Sequence, residues 1–138
     1  MNLFVNEYEI SDDKKRLQLN ILHELLKGTY WAKDRSIEVI EKSVANSICY
    51  GVYLEDIMVG FGRVVTDYAT MYWVADIVID EAHRGKGLGK ALMNCIEENK
   101  DIEGLMGILA TRDAHGLYQK YGFMQDPEKF MKKPRLES

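Results

Sequence analysis

Proline and cysteine are scarce in this 138-residue chain, at two residues each. Cys49 and Cys95 stand far apart, in no CxxC or Cys/His pattern, so neither a disulfide framework nor a zinc site is indicated. Both fall among apolar neighbours and are expected to be small packed hydrophobes. No window approaches the ~18 consecutive apolar residues of a membrane-spanning helix. The N-terminus, Met1 to Glu7, has no basic region followed by a long apolar run, so no secretory signal is read there. The cytoplasm is the expected location, and a structural disulfide is not expected in that reducing setting. Positive charge is not in excess either. The formal net charge of -4 argues against nucleic acid or an anionic membrane as partner and is compatible with a cationic acceptor. Repeats, low-complexity tracts and linkers are absent, and the length suits one domain, residues 1–138, able to bury roughly two-thirds of its unfolded surface.

What is present is a mixed pattern. Residues 3–10 alternate weakly and predict a first strand. Ser11 followed by Asp12 and Asp13 predicts a helix start, with Leu17, Ile21, Leu22 and Leu25 as its apolar face and Gly28 at its end. Asp34 or Ser36 can cap a second helix carrying Ile37, Ile40 and Val44. Three alternating runs come next, at 48–54, 58–66 and 71–79, and predict an antiparallel meander. Leu88, Ala91, Leu92, Cys95 and Ile96 have helical spacing. Residues 104–110 form a short apolar strand, and 113–121 a last helix with Asp113 as its cap. One or two final strands are expected around Phe130. The strand–helix–strand order over 71–110 implies a parallel crossover.

The densest chemical signal is Arg84-Gly85-Lys86-Gly87-Leu88-Gly89, lying between a strand and a helix. Free main-chain N–H groups and the positive end of a helix dipole converge there, which favours a phosphate. Glycines admit close approach of an anion, and Arg84 and Lys86 add charge. A nucleotide P-loop would need glycine at Arg84 and Ser or Thr at Ala91, and a dinucleotide fingerprint would need its third glycine at Lys90. Both fail at those residues.

With Arg84, Gly87 and Gly89 in order after the strand Ile77-Val78-Ile79, the segment resembles the GNAT superfamily of acetyltransferases. A second block, Ala114, Leu117-Tyr118, Lys120 and Gly122-Phe123, resembles that family's Leu-Tyr-x-Lys-x-Gly-Phe. The resemblance covers about residues 48–125. It implies an α/β (mixed α+β) fold: a twisted mixed sheet, an antiparallel meander then a splayed parallel strand pair, flanked by helices. It implies acetyl-CoA as cosubstrate and coenzyme A as product. The pantetheine arm would lie along Ile77, Val78 and Ile79, and the pyrophosphate on residues 84–89, extended to Lys90. Thr111 stands where the family often has Asn.

Acyl transfer to an amine needs a polarised thioester carbonyl, a neutral nucleophile and a proton for the departing thiolate. Amides of Ile77 or Val78 could stabilise the developing negative oxygen. Tyr118, with a reference pKa of ~10, is protonated at neutral pH and is the expected acid. Asp76 is the candidate for taking the amine's proton through water or for anchoring the acceptor. Tyr121 is expected to be core or pocket wall, and His83 and His115 to be exposed. The resemblance brings Tyr30, Trp31, Tyr72 and Trp73 to the acceptor cleft, where rings could bracket an amine. The acceptor is expected to be a small-molecule or peptide amine, and a homodimer is compatible with this reading. The alternatives are a non-catalytic acyl-CoA-binding module on the same fold, or an enzyme using a longer acyl group or a hydroxyl acceptor.

Overall fold

The computed structural model describes residues 1–136, and its strands lie side by side in chain order in one six-stranded sheet. The N-terminal segment, expected as one strand, is a hairpin: β1 (Asn2–Val5) and β2 (Tyr8–Ser11) pair antiparallel. Asn6 takes a positive φ of 53° at the turn, a conformation asparagine tolerates better than most residues. Ser11 ends β2 instead of opening a helix. Asp13 caps only a single 3-10 turn, Lys14–Arg16, by accepting from Lys15 N.

α1 (Leu19–Lys27) starts after Gln18 and ends at Gly28 as expected. The Gln18 amide fastens that start to the sheet, donating to Asp56 O and accepting from Met58 N. α2 (Ile37–Ala45) is capped by Ser36, whose hydroxyl accepts from Val39 N. Leu22, Leu26, Ile40 and Val44 bury against Cys49, Tyr53, Met58, Phe61 and Val78, so these two helices cover one face of the sheet.

The meander forms as expected: β3 (Ile48–Leu54), β4 (Ile57–Thr66) and β5 (Met71–Ile79) pair antiparallel. α3 (Leu88–Glu97) then crosses the other face, burying Leu88, Leu92, Met93 and Ile96 against Tyr50, Val52, Val64 and Val74. β6 (Met106–Leu109) returns parallel to β5. Two irregularities of β5 shape its surroundings. β6 pairs with Met71–Val74 of β5, so from Asp76 onward β5 has no strand neighbour on that side among the described residues. Arg63 pairs with Asp76 and Val64 with Val74, which leaves Ala75 as an extra residue in β5. Such a bulge shifts the two-residue alternation by one. Tyr72 and Val74 face α3, whereas Val78 faces α1 and α2.

α4 (His115–Gln119) is shorter than expected, and its N-cap is Ala114. Asp113 is exposed, and the turn is closed instead by Thr111, whose hydroxyl accepts from Ala114 N. The strands expected around Phe130 do not form among the described residues. Phe123 sits edge-on to Tyr72 and Tyr118, and Phe130 stacks on Trp73 at 6.4 Å. Both cysteines are free and buried, and no helix among the described residues is long and apolar enough to cross a membrane.

Candidate active site

Asp80 N donates to Val59 O at 2.8 Å, and main-chain groups of successive strand residues point to opposite sides. That alternation turns the main-chain groups of Asp76 and Val78 toward β4 and those of Ile77 and Ile79 into the gap beside β5. Arg84 Nε donates to Ile79 O at 3.1 Å, as an outward carbonyl permits. Val78, expected as a possible donor to the negative oxygen, is therefore set aside: its N–H faces β4 and its side chain is core. Ile77 keeps that role open.

Gly85 and Gly87 hold positive φ of 80° and 77°, which branched or bulky residues adopt only under strain. Gly87 is the N-cap of α3, and no side chain caps it. The first bond of the helix runs from Ala91 N to Gly87 O, so the N–H groups of Leu88, Gly89 and Lys90 have no intrahelical partner. A Cβ added at Gly85, Gly87 or Gly89 would meet no atom within 4 Å. Free donors thus face open space at the positive end of a helix, beside the strand gap, which fits an anion of pyrophosphate size. Lys86 and Lys90 are exposed at its rim. His83, expected to be exposed, is half-buried, with Nδ1 2.8 Å from the Tyr8 hydroxyl; this ties the turn to β2. His115 is exposed as expected.

Tyr118 packs half-buried against Phe123, and among the described residues its hydroxyl has no hydrogen-bond partner. Burial, reinforced by nearby Tyr30 and Asp113, raises its pKa above the usual phenol value. The group therefore stays protonated and can only give a proton. Tyr121 serves the architecture instead. Its hydroxyl donates to Lys90 O or Asn94 Oδ1, at 3.1 and 2.8 Å, pinning the end of α4 to α3.

Asp76 is 2% exposed and fully engaged. Trp31 Nε1 donates to Oδ1 at 2.7 Å, Arg35 reaches both oxygens at 3.1 and 2.9 Å, and Arg63 Nε donates to Oδ2 at 2.7 Å. Arg63 also donates to Ser47 Oγ. Burial alone would raise the carboxyl's pKa, but the two guanidinium groups outweigh it and hold it below the usual carboxylate range. A carboxylate so held is a poor proton acceptor and has no face left for an amine. The expectation of Asp76 as a base is revised on that ground. Its visible work is to tie the loop between α1 and α2 to β5.

The aromatic candidates divide. Tyr30 and Trp31 are 42% and 40% exposed, with rings 5.0 Å apart and edge to face. Arg112 lies 3.9 Å over the Tyr30 ring, and its N–H donates to the Tyr30 hydroxyl. Trp73 lies on the sheet face opposite Tyr72, under Phe130. Tyr72 is not an acceptor-site residue: it is buried toward α3, and a side chain at Gly107 would collide with its ring. Sequence reasoning missed Arg35, Arg63 and Arg112. Arg63 had a signal, a lone charge inside an apolar strand run, whereas Arg35 and Arg112 had none.

Comparison with known proteins agrees with this geometry. A family model described as an acetyltransferase (GNAT) domain matches residues 45–125. A Xanthomonas campestris crystal structure assigned to the GNAT family superposes with a TM-score of 0.89 at 34% identity, covering 96% of each chain. An uncharacterized N-acetyltransferase, ycf52, of Pyropia yezoensis is 28% identical over 83% of this chain and 69% of its own. A GNAT family acetyltransferase of Elizabethkingia anophelis, solved with acetyl-CoA bound, shares the fold with a TM-score of 0.65 at 18% identity, over 86% of this chain and 77% of that one. The family match spans the bulged strand, the glycine turn and the Tyr118 helix, and the chain belongs to the GNAT family of acetyltransferases.

Proposed function

We propose that this acetyltransferase moves an acetyl group from acetyl-CoA to an amine in one direct step, with Tyr118 as the proton donor. The observation that carries the reading is the set of unpartnered N–H groups at Leu88, Gly89 and Lys90, opening beside the unpaired half of β5. Residues 84–90 would hold the pyrophosphate, with Lys86 and Lys90 adding charge. The main-chain groups of Ile77 and Ile79 would hold the pantetheine arm. Acetyl-CoA, when bound, supplies a thioester whose carbonyl carbon an amine can attack.

The chain's own contributions are then three. The Ile77 N–H, facing the gap, meets negative charge as it builds on the carbonyl oxygen. The Tyr118 hydroxyl, protonated and without a protein partner among the described residues, gives its proton to the departing sulfur, while the proton shed by the attacking nitrogen passes to water, from which the phenolate is reprotonated. Tyr30 and Trp31 close the acceptor side. Thr111 acts locally, through the turn it closes. Asp76 positions the acceptor loop through Trp31 and Arg35 and takes no proton.

The test is single-turnover thiol release from acetyl-CoA with an amine library, comparing wild type with Tyr118→Phe. Phenylalanine keeps the ring and removes only the donor. Cofactor binding should survive while the chemical step slows by ~10²-fold or more. An unchanged rate would return Tyr118 to packing, and cofactor binding with no turnover of any amine would favour a non-catalytic acyl-CoA-binding module.

A further inference from the structure

Three arginines, Arg35, Arg63 and Arg112, lie on the acceptor side of the site, and they are only partly spent. Asp76 is the buried carboxylate there, and two guanidinium groups already neutralise it; Asp34 and Asp113 are exposed and form no ion pair among the described residues. Arg63 is consumed: it binds Asp76 and Ser47 and is buried. Arg35 is not. It reaches Asp76 through Nη1 alone, its Nη2 and Nε have no protein partner among the described residues, and its side chain is 22% exposed. Arg112 is exposed, forms no ion pair among the described residues, and holds its guanidinium carbon 3.9 Å from the centre of the Tyr30 ring.

Of the amines that Tyr30 and Trp31 were expected to bracket, this arrangement tells against one that is purely cationic. The Tyr30 ring face is already covered by a cation, and a second ammonium there would meet like charge. A guanidinium held over an aromatic ring is instead well prepared to bind a carboxylate, since the contact limits the freedom lost on binding. Tyr30 and Trp31 are contiguous with Arg35 through the shared contact with Asp76, so the two unspent guanidinium groups flank one aromatic surface.

We propose that the acceptor is a small amine that also carries a carboxylate, held by Arg112 and Arg35 beside the Tyr30–Trp31 surface. The assignment rests on the acetyl-transfer reading of the same site, but it can be tested apart from turnover. The chain's only two tryptophans are Trp31 and Trp73, one in this surface and one on the same sheet face, so intrinsic fluorescence reports binding directly. The probes are the common amino acids, each titrated against its own primary amide, which keeps the amine and removes the charge.

At least one amino acid should bind saturably and its amide tenfold or more weaker, as loss of a charged hydrogen bond requires. Arg112→Gln should erase that preference while leaving acetyl-CoA binding unchanged. Arg35→Gln should narrow it, with folding checked separately because Arg35 also braces Asp76. If no amino acid binds better than its amide, or if the preference survives in both variants, the assignment fails. Carboxylate-selective binding without thiol release would sink the acetyl-transfer reading and leave Arg112 and Arg35 as a carboxylate site for a ligand that is not an acceptor. Thiol release with no carboxylate preference would sink this assignment and leave the acetyl-transfer reading standing.

Discussion

Asp76 carries two burdens at the residue scale, and they can be separated. Replacing it with Asn leaves two guanidinium groups facing each other in a buried site, and breaking a buried pair in this way costs about 3–5 kcal/mol. Denaturant unfolding at pH 7 should show that loss. The folded carboxyl titrates below its unfolded value of ~3.9. Its contribution to stability is therefore complete above about pH 4 and disappears as pH falls through the lower, folded value. The wild-type advantage over Asp76→Asn should shrink as pH falls below about 4; an advantage that grew on acidification would contradict the network. For activity, a lost base would be rescued at high pH, whereas a loosened acceptor loop would not. Activity of Asp76→Asn is expected to be depressed equally across pH 6–9. The cysteines give a simpler check. Burial pushes both thiols up to about 11, so an alkylating reagent at pH 8 should label neither in the native protein and both in denaturant.

The glycine turn works at the scale of an element, as the join between β5 and α3. Gly87→Val places a branched side chain at a φ of 77°, a left-handed conformation costing an L-residue about 1–2 kcal/mol. It also fills the open side of the cradle. The folded variant should lose the thermal stabilisation that acetyl-CoA gives the wild type; a shift of normal size would move the anion elsewhere. This turn was legible because its chemistry is local, as were the meander and α3, whose periodicities are 2 and 3.6. Less local features escaped. The 3-10 turn at Lys14–Arg16 displaced a helix start that Ser11-Asp12-Asp13 signalled equally well. Phe130 packs on Trp73 from an extended segment, and its apolar character alone suggested a strand. Asp76 stood out in the sequence as a lone carboxylate in an apolar strand run, but its partners lie 13 to 45 residues away. No spacing encodes that such a carboxylate is neutralised. The Ala75 bulge was equally silent, yet it decides that Asp76 shares a face with α1 and α2.

For the molecule as a whole, acetyl-CoA should act as a brace between the glycine turn and the unpaired side of β5. At a hundred times its dissociation constant it would stabilise the protein by about 2.7 kcal/mol, and calorimetry can read the shift. The unpaired half of β5 carries a further consequence for solvent exchange. In an ordinary central strand every amide is protected. Here the main-chain groups of Val78 and Asp80 face β4, while those of Ile77 and Ile79 point to the side that β6 does not reach. In deuterated water the chain should show a two-residue beat along one strand: slow at 78 and 80, fast at 77 and 79. Bound cofactor should silence the fast pair and leave the slow pair unchanged, so that one strand records both the permanence of the sheet and the occupancy of the gap.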